Sequence, residues 1–149
     1  MTVRQILLRK GTHAHSVGPD APLTEVVRLL RLHDVGALLV LDGGALVGIV
    51  SERDLVRALA VEGAGVLRQP VRNVMSSPVA TCQPADEIRQ LMERMTARRI
   101  RHLPVVEDGR LAGVVSIGDV VKSRLLEIQG EAAFLQDALT IRWASSLAA

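Results

Sequence analysis

Gly48-Ile49-Val50-Ser51-Glu52-Arg53-Asp54 and Gly113-Val114-Val115-Ser116-Ile117-Gly118-Asp119 are the two stretches whose reading decides the fold. Each runs from a strand-like apolar segment into a serine, with an acid three residues later, which marks a strand handing over to a capped helix. The relation between them extends outward without a gap: Pro19 to Asp54 recurs as Pro84 to Asp119 at a constant offset of 65 residues. Identities fall at apolar and turn positions, including Pro19/Pro84, Leu38/Leu103, Val40/Val105, Gly44/Gly109, Leu46/Leu111 and Gly48/Gly113. A shorter echo, Val3-Arg4-Gln5-Ile6-Leu7 against Val71-Arg72-Asn73-Val74-Met75, precedes each copy at an offset of 68. The three-residue difference is placed in a loop around Lys10 to Thr12. The chain is an internal duplication.

Within each copy the hydrophobic period alternates. A short extended piece (Ala14 to Val17; Val79 to Cys82) leads to apolar residues at helical spacing, Leu23, Val26, Val27 and Leu30, or Ile88, Leu91, Met92 and Met95. Two β-rich runs follow, Ala37 to Leu41 and Leu46 to Val50 in one copy, His102 to Val106 and Leu111 to Val115 in the other. The turn signals Asp42-Gly43-Gly44 and Glu107-Asp108-Gly109 make each pair a hairpin. A second helix opens at Ser51 or Ser116. Each copy therefore reads strand, helix, strand, strand, helix, an α/β (α+β) class, and Pro104 favours an edge or strand-start position. The expected organisation is a first repeat over 1–61, a connector over 62–70, a second repeat over 71–126 and a helical tail over 127–149, broken by Gly130.

Composition bounds the function. A chain of 149 residues buries roughly 70% of its unfolded surface without staples, and its one cysteine, Cys82, fits a reducing compartment. Eighteen Lys and Arg against 16 Asp and Glu leave a net charge of +2, far from the clustered positive footprint that nucleic acid requires. Phe134 and Trp143 supply no stacking platform for bases. No signal-peptide pattern opens the chain and no apolar run is long enough to span a bilayer. These features exclude nucleic acid and membrane as partners and point to a cytoplasmic protein.

The repeated Ser-x-x-Asp admits two readings. As pure capping, Ser51 and Ser116 accept from backbone amides and the acid complements the helix dipole. As a site, the same helix N-terminus, hydroxyl and acid suit a ribose phosphate, with the carboxylate accepting from a vicinal diol. No Gly-x-Gly-x-x-Gly and no Walker sequence is present, so neither dinucleotide-fingerprint nor Walker chemistry is implied.

With these residues in view, the chain resembles a stand-alone tandem CBS-domain protein, a Bateman module, over nearly everything up to Leu126. Both stretches match that family's G-h-h-[S/T]-x-x-D motif, and Arg99 to Val106 resembles its strand ending in Leu-Pro-Val-Val. The first copy departs there, with Leu39 in place of the proline. The resemblance implies two pseudo-symmetric clefts that bind AMP, ADP, ATP or S-adenosyl methionine. Asp54 and Asp119 would accept ribose hydroxyls, Ser51 and Ser116 would lie near ribose or phosphate, with Gly118 beside them, and Val35, Gly36, Ala37 and Ile100, Arg101, His102 would hold the adenine. Which repeat supplies which wall is left open. The resemblance also implies a homodimer.

The two clefts are expected to differ. Arg94, Arg98, Arg99, Arg101 and His102 stand where the first copy has Leu29, His33, Asp34, Gly36 and Ala37. The Arg101–His102 cleft is expected to take phosphates, aided by Arg53 or Lys122, while the Gly36–Ala37 cleft binds weakly or stays empty; Arg94 and Arg98 are expected to face solvent. Cys82 reads as a buried inert thiol, His13-x-His15 as surface histidines rather than metal ligands, and no catalytic constellation or cofactor site is apparent. The tail packs on its own domain or meets a second copy or a client protein. The resulting expectation is a regulatory adenosine-ligand sensor that is not an enzyme; the competing reading is a structural scaffold in which both motifs only cap helices.

Overall fold

The computed structural model describes residues 1–147; the last two residues of the expected tail lie outside the described residues. Thr2 opens α1 (Val3–Lys10), its backbone N–H donating to Gln5 Oε1 at 2.9 Å in a capping box. The first repeat follows as β1 (Ser16–Val17), α2 (Leu23–His33), β2 (Ala37–Asp42), β3 (Ala45–Ser51) and α3 (Glu52–Glu62). The second comprises α4 (Ile88–Arg98), β4 (His102–Glu107), β5 (Arg110–Ser116) and α5 (Ile117–Leu147). The helices bury the spacing read from sequence, Leu23, Val26 and Leu30 in α2 and Ile88, Leu91 and Met95 in α4, although Val27 stays exposed. Asp34 and Arg99, at equivalent positions, close these helices in the left-handed region at φ 52° and 53°.

Both hairpins turn on two residues, Gly43-Gly44 (φ 55° and 85°) and Asp108-Gly109 (φ 51° and 73°). Positive φ at both central positions is the turn geometry whose twist matches the flanking strands. Each hairpin also shifts register at the same place, Val40/Leu41 and Val105/Val106.

The extended pieces in front of α2 and α4 differ. β1 pairs parallel with β2, and the Leu39 N–H donates to the His15 carbonyl at 3.0 Å. The expected strand Val79 to Cys82 is instead a single parallel bridge, Cys82 to Val105. The counterpart of Leu39 is Pro104, which has no N–H to donate, so the ladder loses that rung. Cys82 keeps the next two, its N–H donating to the Pro104 carbonyl at 3.0 Å and its carbonyl accepting from Val106 at 2.8 Å.

The expected break at Gly130 is absent: α5 runs unbroken for 31 residues, about 46 Å at 1.5 Å per residue. A mid-helix glycine costs only about 1 kcal/mol against alanine, and nothing else at Gly130 forces the chain to turn. From Gln129 onward α5 stands away from the body, its described residues exposed apart from half-buried Ala138.

The two cores are crossed relative to the sequence. Val3, Ile6 and Leu7 of α1 pack with Ile88, Leu91, Leu103, Val115 and Val120 of the second repeat. Val66, from a 3-10 helix (Ala64–Arg68) within the connector, and Val71, from another (Val71–Asn73), pack with Leu23, Val26, Leu38 and Val50 of the first. Backbone bonds repeat the crossing in pairs: Ile88 N–H to the Met1 carbonyl and Leu23 N–H to the Gln69 carbonyl, both 3.0 Å; Val3 N–H to the Asp86 carbonyl and Val71 N–H to the Ala21 carbonyl, 3.0 and 2.8 Å. Each fully buried aliphatic side chain contributes about 1.5–3 kcal/mol, so each repeat draws part of its stability from the segment that precedes the other. The closest approaches of these segments fall on Gly48 and Gly113: a Cβ there would stand 2.8 Å from Met75 Cγ or 2.9 Å from Leu7 Cδ2.

Candidate functional site

The β3–α3 and β5–α5 junctions are built alike. Ser51 Oγ accepts from the Asp54 N–H at 3.3 Å, while Asp54 Oδ2 accepts from the Ser51 N–H at 2.8 Å and its hydroxyl at 3.0 Å. Ser116 and Asp119 repeat the arrangement at 3.2, 2.8 and 3.0 Å. Capping is therefore real in both copies and uses Oδ2 of each carboxylate; Asp54 lines a cleft, whereas Asp119, expected to do the same, lines neither cavity and lies behind Lys10 and Ser116, which do line the second. Reciprocal capping and presentation of an acceptor are compatible roles for one side chain.

Each cleft joins the junction of one repeat to the loop before the first hairpin strand of the other. The first, a cavity of about 540 Å³, places Ser51 and Asp54 opposite Ile100, Arg101 and His102. The second, about 310 Å³, places Ser116 opposite Val35, Gly36 and Ala37. The pairing that the sequence left open is thus a crossed one. Gly36 also reaches the first cleft and His102 the second, because the two lie against each other: a Cβ on Gly36 would sit 3.1 Å from His102 Cε1. His102 forms a partition shared by both cavities.

Arg53 joins Arg101 and His102 in the first cleft, its guanidinium anchored on the Arg99 carbonyl at 2.8 Å. Lys122 and Gly118 are exposed and line neither cavity. Arg98 lines the first cleft rather than merely facing solvent, and Arg57 and Ser76, which sequence reasoning missed, line it as well. Arg57 lies one helical turn beyond Arg53, a spacing that could have exposed it. Arg94 is engaged structurally, donating to the Thr81 carbonyl at 2.6 Å and to Asp86 at 3.0 Å.

The second cleft contains Lys10, His13 and His15, also unforeseen. Lys10 is the last residue of α1, not part of a loop, and its Nζ donates to Asp119 Oδ2 at 2.6 Å and to the Val114 carbonyl at 3.1 Å. Burial pushes the Asp119 carboxyl up, but hydrogen bonds from Lys10 and Ser116 outweigh it and hold the group below the usual carboxylate range. The His13 and His15 rings meet edge to face at 4.5 Å, and His15 stacks on His33 at 3.8 Å. Burial lowers His102, partly offset by Glu52 and Asp119, and burial with its two histidine neighbours lowers His15. Cys82 is buried alongside β4, its thiol pushed up to about 12 by burial. No helix among the described residues is long and apolar enough to cross a membrane.

Comparison with known proteins agrees with this architecture. The CBS domain family model matches residues 3–61 and again 71–125. The mitochondrial CBS domain-containing protein CBSX3 of Arabidopsis thaliana is 34% identical over 139 residues, covering 87% of this chain and 68% of that protein. A CBS-domain containing protein from Agrobacterium tumefaciens superposes with a TM-score of 0.82 at 48% identity, over 83% of this chain and 99% of that one. The CBS domain pair of protein MJ0100, solved in complex with 5′-methylthioadenosine and S-adenosyl-L-methionine, superposes with a TM-score of 0.73 at 25% identity, over 87% and 98% of the two chains. With two copies of the repeat, two crossed clefts and the same family matched in both halves, the chain belongs to the CBS domain family as a tandem CBS pair.

Proposed function

We propose that this CBS pair is a regulatory module without catalytic turnover, and that its first cleft binds an adenosine-containing ligand. The observation that carries this reading is the convergence, in one cavity, of a capped carboxylate with an outward oxygen (Asp54) and the Ile100–His102 segment, rimmed by Arg53, Arg57, Arg98 and Arg101. The carboxylate suits a ribose diol, the Ile100 side chain and the backbone amide groups of its segment suit a purine's face and edge, and the arginines suit phosphate. A volume near 540 Å³ lies within the usual range for small-molecule sites. The same fold holds two adenosine derivatives in the MJ0100 pair. The arginine rim favours AMP, ADP or ATP over the cationic S-adenosyl methionine. Binding across the two repeats shifts their packing only through unequal affinity for two arrangements, which is how such a module would signal to a client.

Calorimetric titration of nucleotide-free protein with AMP, ADP, ATP and S-adenosyl methionine tests this. Asp54→Asn should abolish binding; because it also weakens a helix cap, Arg101→Ala, which lies outside the cap, should weaken nucleotide binding and flatten its salt dependence. Saturable binding unaffected by both variants would refute the assignment, and silence from all four ligands would favour the scaffold reading.

A second copy of the chain is the proposed partner of α5. Val121, Leu125, Ile128, Leu135 and Leu139 are exposed on this helix at alternating spacings close to the heptad repeat, with Ala132 completing the row. A reducing, cytoplasmic setting is proposed on the single buried thiol.

A further inference from the structure

We propose that Lys10 decides which cleft accepts a ribose diol: its ammonium pairs with the Asp119 carboxylate and stands in the wall of the second cleft, which disfavours a diol there and leaves the Asp54 cleft as the preferred one. The inference rests on the nucleotide reading above. Asp54 and Asp119 are held by their own serines in nearly identical geometry, so the difference lies in what else reaches them. Asp54 receives the neutral Ser76 hydroxyl, at 3.5 Å from Oδ1. Asp119 receives a cation at 2.6 Å from Oδ2, the oxygen to which Ser116 also donates, and that cation is anchored a second time on the Val114 carbonyl.

The cause is visible in the chain. Leu7 packs over Gly113 as Met75 packs over Gly48, so the two crossing segments are in register up to that point. Beyond it the first segment is three residues longer: α1 continues for nearly another turn and delivers Lys10, whereas its counterpart leaves the 3-10 helix and delivers Ser76. Gly11, at φ 89°, ends α1 directly after the lysine, its N–H bonded to the Leu7 carbonyl at 2.8 Å. Lys10 thus sits in the last turn of α1, where the helix dipole favours a cation. A ribose diol approaching Asp119 meets a carboxylate whose charge this cation already neutralises and must compete with the ammonium beside it, a penalty on the order of tenfold in affinity.

The test is titration of AMP into the wild type, Lys10→Met, Lys10→Arg and the double variant Lys10→Met/Asp54→Asn, each checked for folding by circular dichroism. The wild type and Lys10→Arg should bind one AMP per chain. Lys10→Met should bind two, the second within about tenfold of the first, and the double variant should bind one. Two equivalent sites in the wild type, a single site in Lys10→Met, or a second site that needs the lysine would overturn the inference while leaving the nucleotide reading intact. No binding of AMP, ADP, ATP or S-adenosyl methionine by any of the four proteins would refute the nucleotide reading and this inference with it.

Discussion

Replacing Gly48 by alanine tests whether the crossed segments are seated as tightly as the structure shows. The added Cβ would lie 2.8 Å from Met75 Cγ and 3.2 Å from Met75 Cβ, so relief requires moving the root of the side chain and not just its tip. Such overpacking costs about 1–3 kcal/mol, offset by about 0.4–1 kcal/mol because alanine restricts the unfolded chain. A net loss of about 1–2 kcal/mol is expected. Gly113→Ala should cost more. Its Cβ meets Leu7 Cδ2 at 2.9 Å and the backbone φ is 151°, which adds about 1–3 kcal/mol of strain. The assay is urea unfolding at one fixed protein concentration, so that any assembly equilibrium cancels. In a Met75→Ala background Gly48→Ala should become nearly neutral, a coupling of about 1–2 kcal/mol. In a Leu7→Ala background Gly113→Ala should recover only its steric part, since the backbone strain persists. If Met75→Ala leaves the cost of Gly48→Ala unchanged within about 0.5 kcal/mol, the close approach is not what makes glycine necessary there, and the reasoning fails.

Three further outcomes are expected. Cys82, buried with its thiol pushed up to about 12, should resist an aromatic disulfide reagent at pH 8 and react only as urea unfolds the chain; rapid labelling of the native protein would contradict its burial. His15 and His102 are held below their ordinary value of 6.5, mainly by burial, so below that pH the unfolded chain takes up protons ahead of the native one and stability falls; His102→Gln and His15→Gln should each flatten the decline, and unchanged slopes would rule out this source. Gly130→Ala should raise the melting temperature or the helical signal, by an increment worth about 0.5–1 kcal/mol; loss of helix on that change would show that α5 needs the glycine.

Much of this architecture was legible because duplication supplies its own control. The turn pairs, the buried stripes of α2 and α4 and both capping boxes follow from residues that occur twice at one offset. Local pattern was less able to show which core each leading segment joins: the echo of Val3 to Leu7 in Val71 to Met75 reveals that the segments are equivalent, but their crossing is a matter of long-range packing. The same limit hid Lys10, whose place on Asp119 depends on a length difference that reads locally as a longer loop. Pro104 was recognised as an edge signal, yet its removal of a rung from the Cys82 ladder needed the neighbouring strand's register. Gly130 misled in the opposite sense, since a propensity penalty of about 1 kcal/mol is too small to end a helix that nothing else interrupts. Arg57 and Arg98 were obscured by the ordinary tendency of charged helix residues to be solvated.

The crossing also sets a timetable for biosynthesis. Val3, Ile6 and Leu7 leave the ribosome early, but they dock on Leu91, Val115 and Val120, which are made more than eighty residues later. At about 5–20 residues per second, α1 waits for several seconds with its apolar face uncovered, while the first repeat likewise waits for Val66 and Val71 to emerge. A nascent chain arrested before Val120 would therefore expose one amphipathic helix without its receptor, and the N-terminal segment would be the natural point for a chaperone to engage.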